Sequence, residues 1–242
     1  MHRFWRCPAW ARTRLAALDG HDAEAVMEAL PAIARTHGLL PLDPDLKASA
    51  QAAERAGCFP PTRPVARRLW SDGSAVHPKD PWLRQAGWAV VWQLPDGSYA
   101  YQRGQAPGRQ TVGRAELAAA VWAYRCEPSP EALHIDNRYV VDGIAAVIER
   151  RHHHLLKGPD ADLWEAMIAA GPRIMATWVP AHLTIEQYAA RGLSAEVWHG
   201  NDQADVQAKA AARAVAPPPA LVASRARTLE CLLVAQRVIS AV

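Results

Sequence analysis

Four carboxylates stand where apolar runs give way to polar ones. Asp72 lies in Leu69-Trp70-Ser71-Asp72-Gly73-Ser74, and Glu116 in Arg114-Ala115-Glu116-Leu117. Asp136 lies in His134-Ile135-Asp136-Asn137, and Asp205 in Gly200-Asn201-Asp202-Gln203-Ala204-Asp205. Carboxylate oxygens are the ligands of hard divalent cations such as Mg²⁺. A pair of such cations clamps both the attacking and the leaving oxygen of a phosphodiester. Each acid alone has an ordinary alternative. Asp72 reads as a turn residue, Glu116 as a solvated helix residue, and Asp136 as a helix N-cap, where Asp is favoured. Asp202 competes with Asp205 for the last place, and as a first-turn acid it suits the helix dipole. The four together, at the edges of four elements, favour metal ligands. His182 follows Trp178-Val179-Pro180-Ala181 on a loop and is a candidate for proton transfer. His152-His153-His154 reads as a solvated helix end.

The elements that must position these acids are legible. A strand over Val65–Val76 carries Asp72. A second strand, Gly87–Trp92, is followed by Pro95-Asp96-Gly97-Ser98, and Asp-Gly between two strand-like runs signals a hairpin into Tyr99–Gln105. Thr111–Arg125 is helical, with Leu117, Ala120, Val121 and Tyr124 at three-to-four spacing. A short buried strand, Glu131–Ile135, ends at Asp136. Helices over Arg138–Arg150 and Asp160–Ala170 follow, then a fifth strand over Arg173–Pro180. A long loop, Leu183–Gly200, precedes a helix over Asn201–Val215. Three strands followed by alternating helices and strands imply a mixed sheet with helices on its faces. In such sheets the site lies at the carboxyl ends of parallel strands, where Asp136 falls.

The flanks differ. Residues 1–62 form a helical N-terminal region, with Ala23, Val26, Leu30 and Ile33 at helical spacing, a kink expected at Pro31, and a second helix over Asp45–Ala56. A Pro-rich link over 58–64 separates it from the domain at 63–216. After Pro217-Pro218-Pro219, residues 217–242 are a helical tail.

The chain has 242 residues, half of them apolar, enough for a sizeable core. A net charge of +3 is compatible with nucleic acid without demanding it. Cys7, Cys58, Cys126 and Cys231 are scattered and form no Cys-x-x-Cys, which points to free thiols in a reducing compartment. The sequence shows no signal peptide and no uncharged apolar stretch of about 18 residues, so it reads as intracellular, nuclear or cytoplasmic, with no membrane partner.

Five segments, in order over Ala66–Val215, are similar to ribonuclease H of the type 1 branch, including the domains fused to reverse transcriptases. They are DGS at 72–74, RAELAAAVWA at 114–123, IDNRYVVDGI at 135–144, DLWEAM at 162–167, and WVPAH at 178–182 with GNDQADVQAKAA at 200–211. The resemblance implies an α/β ribonuclease H-like fold: a mixed five-stranded sheet, its first three strands antiparallel, flanked by helices, with a small helical N-terminal region added. It implies hydrolysis of the RNA strand of an RNA–DNA hybrid by a monomer, using two Mg²⁺ ions, with Mn²⁺ an acceptable substitute and no other small-molecule cofactor. Asp72 would bridge both ions, Glu116 and Asp136 would hold the one near the leaving group, and Asp205 the one carrying the attacking water. His182 would assist proton transfer or product release. Asn201, Thr111, Arg114 and Ser74 would contact substrate, Thr111 at a DNA-strand phosphate. The chain departs from the family at Val112-Gly113, where Asn-Asn is usual. It also lacks a basic insertion, in whose place stand Arg150 to His154, and its loop at Leu183–Gly200 is long. HRFWRCPAW at 2–10 resembles the segment linking polymerase and ribonuclease H in non-LTR retroelement polyproteins. The alternative is a catalytically inactive ribonuclease H-like binding or structural module.

Overall fold

The structure, a computed structural model, describes residues 5–41, 43–60, 68–126 and 130–241. In chain order its elements are α1 (Ala11–Leu18), α2 (Ala23–Glu28), α3 (Ala32–His37), α4 (Pro44–Ala56), β1 (Arg68–Val76), β2 (Gln85–Gln93), β3 (Tyr99–Gln105), α5 (Val112–Tyr124), β4 (Ala132–Ile135), α6 (Arg138–Ile148), α7 (Ala161–Ala170), β5 (Thr177–Trp178), α8 (Ile185–Ala189), α9 (Ala195–Ala214) and α10 (Pro219–Ala241). Short 3₁₀ turns cover Pro8–Trp10 and His152–Lys157.

Two compact units result, Ser49–Ala216 and a second made from Met1–Ala48 with Pro217–Val242. The expected division set the N-terminal helices and the C-terminal tail apart, with a boundary after residue 62 that lies outside the described residues. The structure instead gives them one core. Trp5, Leu18, Val26, Leu30 and Ala34 are buried with Val234, Ala235 and Val238 of α10. Gln236 donates to the Gly38 carbonyl at 2.8 Å and Trp5 to the Arg35 carbonyl at 2.8 Å. Helices as short as α1 to α3 are marginal alone and need a tertiary partner. The expected interruption at Pro31 is present, with Pro31 as N-cap of α3.

The larger unit is built on a five-stranded sheet in the order β3-β2-β1-β4-β5. β1 pairs antiparallel with β2, and β2 with β3; β1–β4 and β4–β5 are parallel. Period-two alternation sorts the sheet into two faces. Leu69, Trp88 and Val90 share the main core with α5, α6 and α7. Trp70 and Val91 pack on the other face with Ala204 of α9. Along α5 every residue from Arg114 to Tyr124 is buried, as expected of a helix lodged between a sheet and further helices.

Glycines set how closely the helices approach the site. A Cβ on Gly73 of β1 would lie 2.3 Å from the Glu116 backbone nitrogen, so the missing side chain lets α5 rest directly on β1 beside Asp72. A Cβ on Gly200 of α9 would lie 2.1 Å from the Trp70 indole. Gly73→Ala is expected to push α5 off the strand, at a cost of about 1–3 kcal/mol for overpacking. It should also weaken the stabilisation that a divalent cation gives, because Glu116 moves with the helix. Thermal melts with and without Mg²⁺ check both effects.

Two elements depart from their expected bounds. β5 is two residues, not eight. Among the described residues it pairs with β4, itself four residues long, with Thr177 and Trp178 opposite His134 and Ile135, and Val179 adds a last backbone bond to Ile135. α9 begins at Ala195, capped by Ser194, rather than at Asn201, and α8 occupies part of the expected loop.

Candidate active site

Strand pairing brings the first two acids together. In the parallel pair β1–β4, Ser71 sits opposite Ile135. The next residues, Asp72 within β1 and Asp136 just past the end of β4, therefore emerge side by side. α5 supplies the third acid from its N-terminal half. Thr111 fixes where that helix starts, its hydroxyl accepting the Arg114 backbone N–H at 3.3 Å. One carboxylate oxygen each from Asp72, Glu116 and Asp136 lie within 4.8 Å of one another. Asp72 and Glu116 are buried and Asp136 is half-buried.

The capping alternative for Asp136 does not hold, because Asn137 is the N-cap of α6 and accepts the Val140 N–H at 3.4 Å. Asp136 keeps its carboxylate for the cluster, while its carbonyl accepts the Trp178 indole N–H at 3.0 Å.

Proximity and burial make these acids hard to ionise. Burial first, then the charge of Asp136, pushes the Asp72 carboxyl up to about 8, against the Gly73 N–H that donates to it at 2.7 Å. Glu116 is held well above the usual carboxylate range by burial, then by Asp72 and Asp136, with the Asn137 side chain opposing. Asp136 is raised by burial, with the Asn201 side chain and His182 opposing and the charge of Asp205 adding. One oxygen of Glu116 and the Asn201 amide oxygen are buried with no hydrogen-bond partner. An all-oxygen donor set with unpartnered acceptors and crowded negative charge fits a hard divalent cation. Asp72, Glu116 and Asp136 would hold it.

Asp205 and Asn201 sit one turn apart on α9, and Asn201 is buried. Asp205 stands outside the tight trio. It accepts from Lys209 at 2.6 Å, and its charge still reaches Asp72 and Asp136. His182 is exposed, in the left-handed region at φ 56°. Asp205, Asn201 and His182 line a cleft of about 70 Å³ with Asp202, Leu183, Tyr188, Trp198 and Pro180. Ser74 and Thr111 are half-buried, Ser74 two residues beyond Asp72 on the same face of β1.

Arg114, expected at the substrate, is placed elsewhere. Its guanidinium is buried and bonded to the Asp160 carboxylate at 3.0 Å, to Asp162 at 2.9 Å, and to the Pro107 carbonyl. Four of its five donors are engaged, and it ties α5 to the start of α7. Asp162, whose side chain is itself largely exposed, is one of the two carboxylates that hold it. An arginine inside an otherwise apolar helix needs a buried partner, and that was the available signal. Arg114→Ala should cost about 2–3 kcal/mol while leaving the acid cluster intact. The check is a melting-temperature loss with the Mg²⁺-dependent shift retained.

A family model described as RNase H matches residues 65–213, more than half of the chain. The chain belongs to the RNase H family. That family comprises RNA–DNA hybrid ribonucleases that depend on divalent metals. Among solved structures, the RNase H chain is similar to the prototype foamy virus protease-reverse transcriptase, with 21% identity, a TM-score of 0.47, and coverage of 64% of this chain and 22% of that one. It thus spans about a fifth of that protein. The isolated foamy virus RNase H domain matches with 20% identity and a TM-score of 0.46, over 60% of this chain and 93% of that domain. LC9-RNase H1, a type 1 RNase H with the type 2 active-site motif, matches with 17% identity and a TM-score of 0.45, over 71% and 87%. Among curated proteins no sequence matches. No helix among the described residues is long and apolar enough to cross a membrane.

Proposed function

We propose that this RNase H chain hydrolyses the RNA strand of RNA–DNA hybrids as an endonuclease, using two Mg²⁺ ions and leaving 5′-phosphate and 3′-hydroxyl ends. The observation that carries the reading is the acidic trio Asp72, Glu116 and Asp136, whose oxygens converge within 4.8 Å. Bound Mg²⁺ supplies an acidified water and neutralises charge at the leaving oxygen. Asp72, Glu116 and Asp136 would hold the ion that serves the leaving group. Asp72 and Asp205 would hold the other; Asp205 accepts from Lys209 at 2.6 Å. Asn201 orients Asp136 and the cleft wall. His182, exposed at the rim of the cleft, moves a proton at the reacting phosphate oxygens or helps product leave. Thr111 and Ser74 meet the substrate, Thr111 at a DNA-strand phosphate. Selection of the RNA strand rests on its 2′-hydroxyl, read across the minor groove. The chain would act as a monomer. A retroelement origin is supported by the opening run at residues 2–10.

The test compares an RNA–DNA hybrid with duplex RNA, duplex DNA and single-stranded RNA of one sequence. The reading expects cutting of the hybrid's RNA strand alone, with 5′-phosphate ends, and none by Asp136→Asn. Hybrid binding without cutting by the folded parent, in Mg²⁺ or Mn²⁺, would instead mark a binding module.

A further inference from the structure

The segment between His182 and Asn201 carries more structure than a connection needs. Thr184 and Gln187 close a capping box, Thr184 accepting the Gln187 backbone N–H at 3.4 Å while the Gln187 side chain accepts the Thr184 N–H at 2.9 Å. This starts α8 three residues after His182, with Thr184 as its N-cap. Tyr188, on α8, is 1% exposed, and its hydroxyl donates to the Pro180 carbonyl at 2.6 Å. Trp198, in the first turn of α9, donates its indole N–H to the Leu183 carbonyl at 2.8 Å. The two bonds fall on either side of His182, at the carbonyls two residues before it and one after it.

His182 itself has φ 56°. A non-glycine residue in the left-handed region is held there by its surroundings at a cost, and such positions cluster where a side chain must be aimed. Residues 180–183 have little sheet support, since β5 ends at Trp178, and Val179 makes the last backbone bond to β4, at 2.9 Å. Side chains therefore set the course of the backbone that carries the imidazole. Tyr188 and Trp198 also line the cleft that His182, Asn201 and Asp205 share, so the same residues that pin the loop shape the pocket.

We propose that the 183–200 segment is a clamp, and that Tyr188 and Trp198 are positioning residues that hold His182 in its reactive placement through the Pro180 and Leu183 carbonyls. The proposal rests on the reading of His182 as a participant in hybrid cleavage. The substitutions Tyr188→Phe and Trp198→Phe remove one hydrogen bond each and keep an aromatic ring in place, so the fold is retained.

The experiment measures single-turnover cleavage of an RNA–DNA hybrid by the full chain carrying each substitution and both, in the parent and in a His182→Ala background. Backbone hydrogen exchange at residues 181–184 is followed alongside. The clamp predicts a loss of about tenfold in rate for the double variant, typical of a misaligned proton-transfer group, with KM little changed. It predicts faster exchange at 181–184 with the sheet amides unaffected. It also predicts no further loss when the same substitutions are added to His182→Ala. An equal loss in both backgrounds would overturn the proposal, because the two residues would then act on stability or on the acids. An unchanged rate in Tyr188→Phe/Trp198→Phe, beside a slow His182→Ala, would overturn the clamp and leave the role of His182 standing. A parent-like His182→Ala would remove that role and the clamp's purpose with it.

Discussion

Asp72→Asn should abolish cleavage and, in metal-free buffer, make the protein more stable. The two effects have one cause. Asp72 is buried against Asp136 and Glu116, and its carboxyl is pushed up to about 8. Near neutral pH the folded chain holds these acids at a cost that a neutral amide of the same shape escapes. Relief of about 2 kcal/mol is a reasonable scale for a buried group freed of that penalty. In a chain of this size it raises the melting temperature by roughly 4–8 °C. The loss of rate should reach about 10³-fold, since removing a ligand forfeits several kcal/mol of charge stabilisation in the transition state. A site kept for structure would show the reverse, with Asp72→Asn destabilising. Thermal melts in a chelator, beside the cleavage rate, separate the two.

Binding of Mg²⁺ should strengthen steeply as pH rises through neutrality. A carboxyl whose folded pKa is raised contributes its stability below its unfolded value and loses it as pH climbs toward the folded value. For Asp72 that window runs from 3.8 to about 8; Glu116 and Asp136 are shifted in the same direction. The metal-free protein should therefore melt lower at about pH 8.5 than at about pH 6 from this contribution. A cation must displace the retained protons, so its apparent affinity should rise about tenfold per pH unit for each proton released. Calorimetry in buffers of different ionisation heat reads the released protons directly. A pH-independent affinity would mean that the trio is already ionised in the folded chain.

How far the sequence reached depended on whether the relevant order was local. Asp72 and Asp136 were legible because each follows directly on apolar strand residues, Leu69-Trp70 and Leu133-His134-Ile135, and the strand order makes those strands parallel neighbours. Glu116 was legible because it shares an Arg-x-Glu-Leu run with Arg114. The same run is silent on the partners of Arg114, Asp160 and Asp162, which lie 46 and 48 residues away. β5 was read as long because alternation describes a strand's own residues and not the length of its neighbour. The joint core of the N-terminal helices with α10 joins ends of the chain that periodicity cannot relate. Other misses had local signals. Thr184-Ile185-Glu186-Gln187 is a capping-box pattern, and Ser194 is a favoured N-cap before a helical run. Together they turn a supposed loop into α8 and the first turns of α9. Asn137 is a favoured N-cap type just before a helical run, and it caps α6 and faces Glu116.

The most direct test of the central claim is the Mg²⁺-dependent cleavage of an end-labelled RNA–DNA hybrid by the parent and by Asp72→Asn, each shown to be folded. The account predicts RNA-strand cutting by the parent, its loss in chelator and recovery on adding Mg²⁺, and none by Asp72→Asn. Equal cutting by both proteins would show that the acidic trio is not where the chemistry happens.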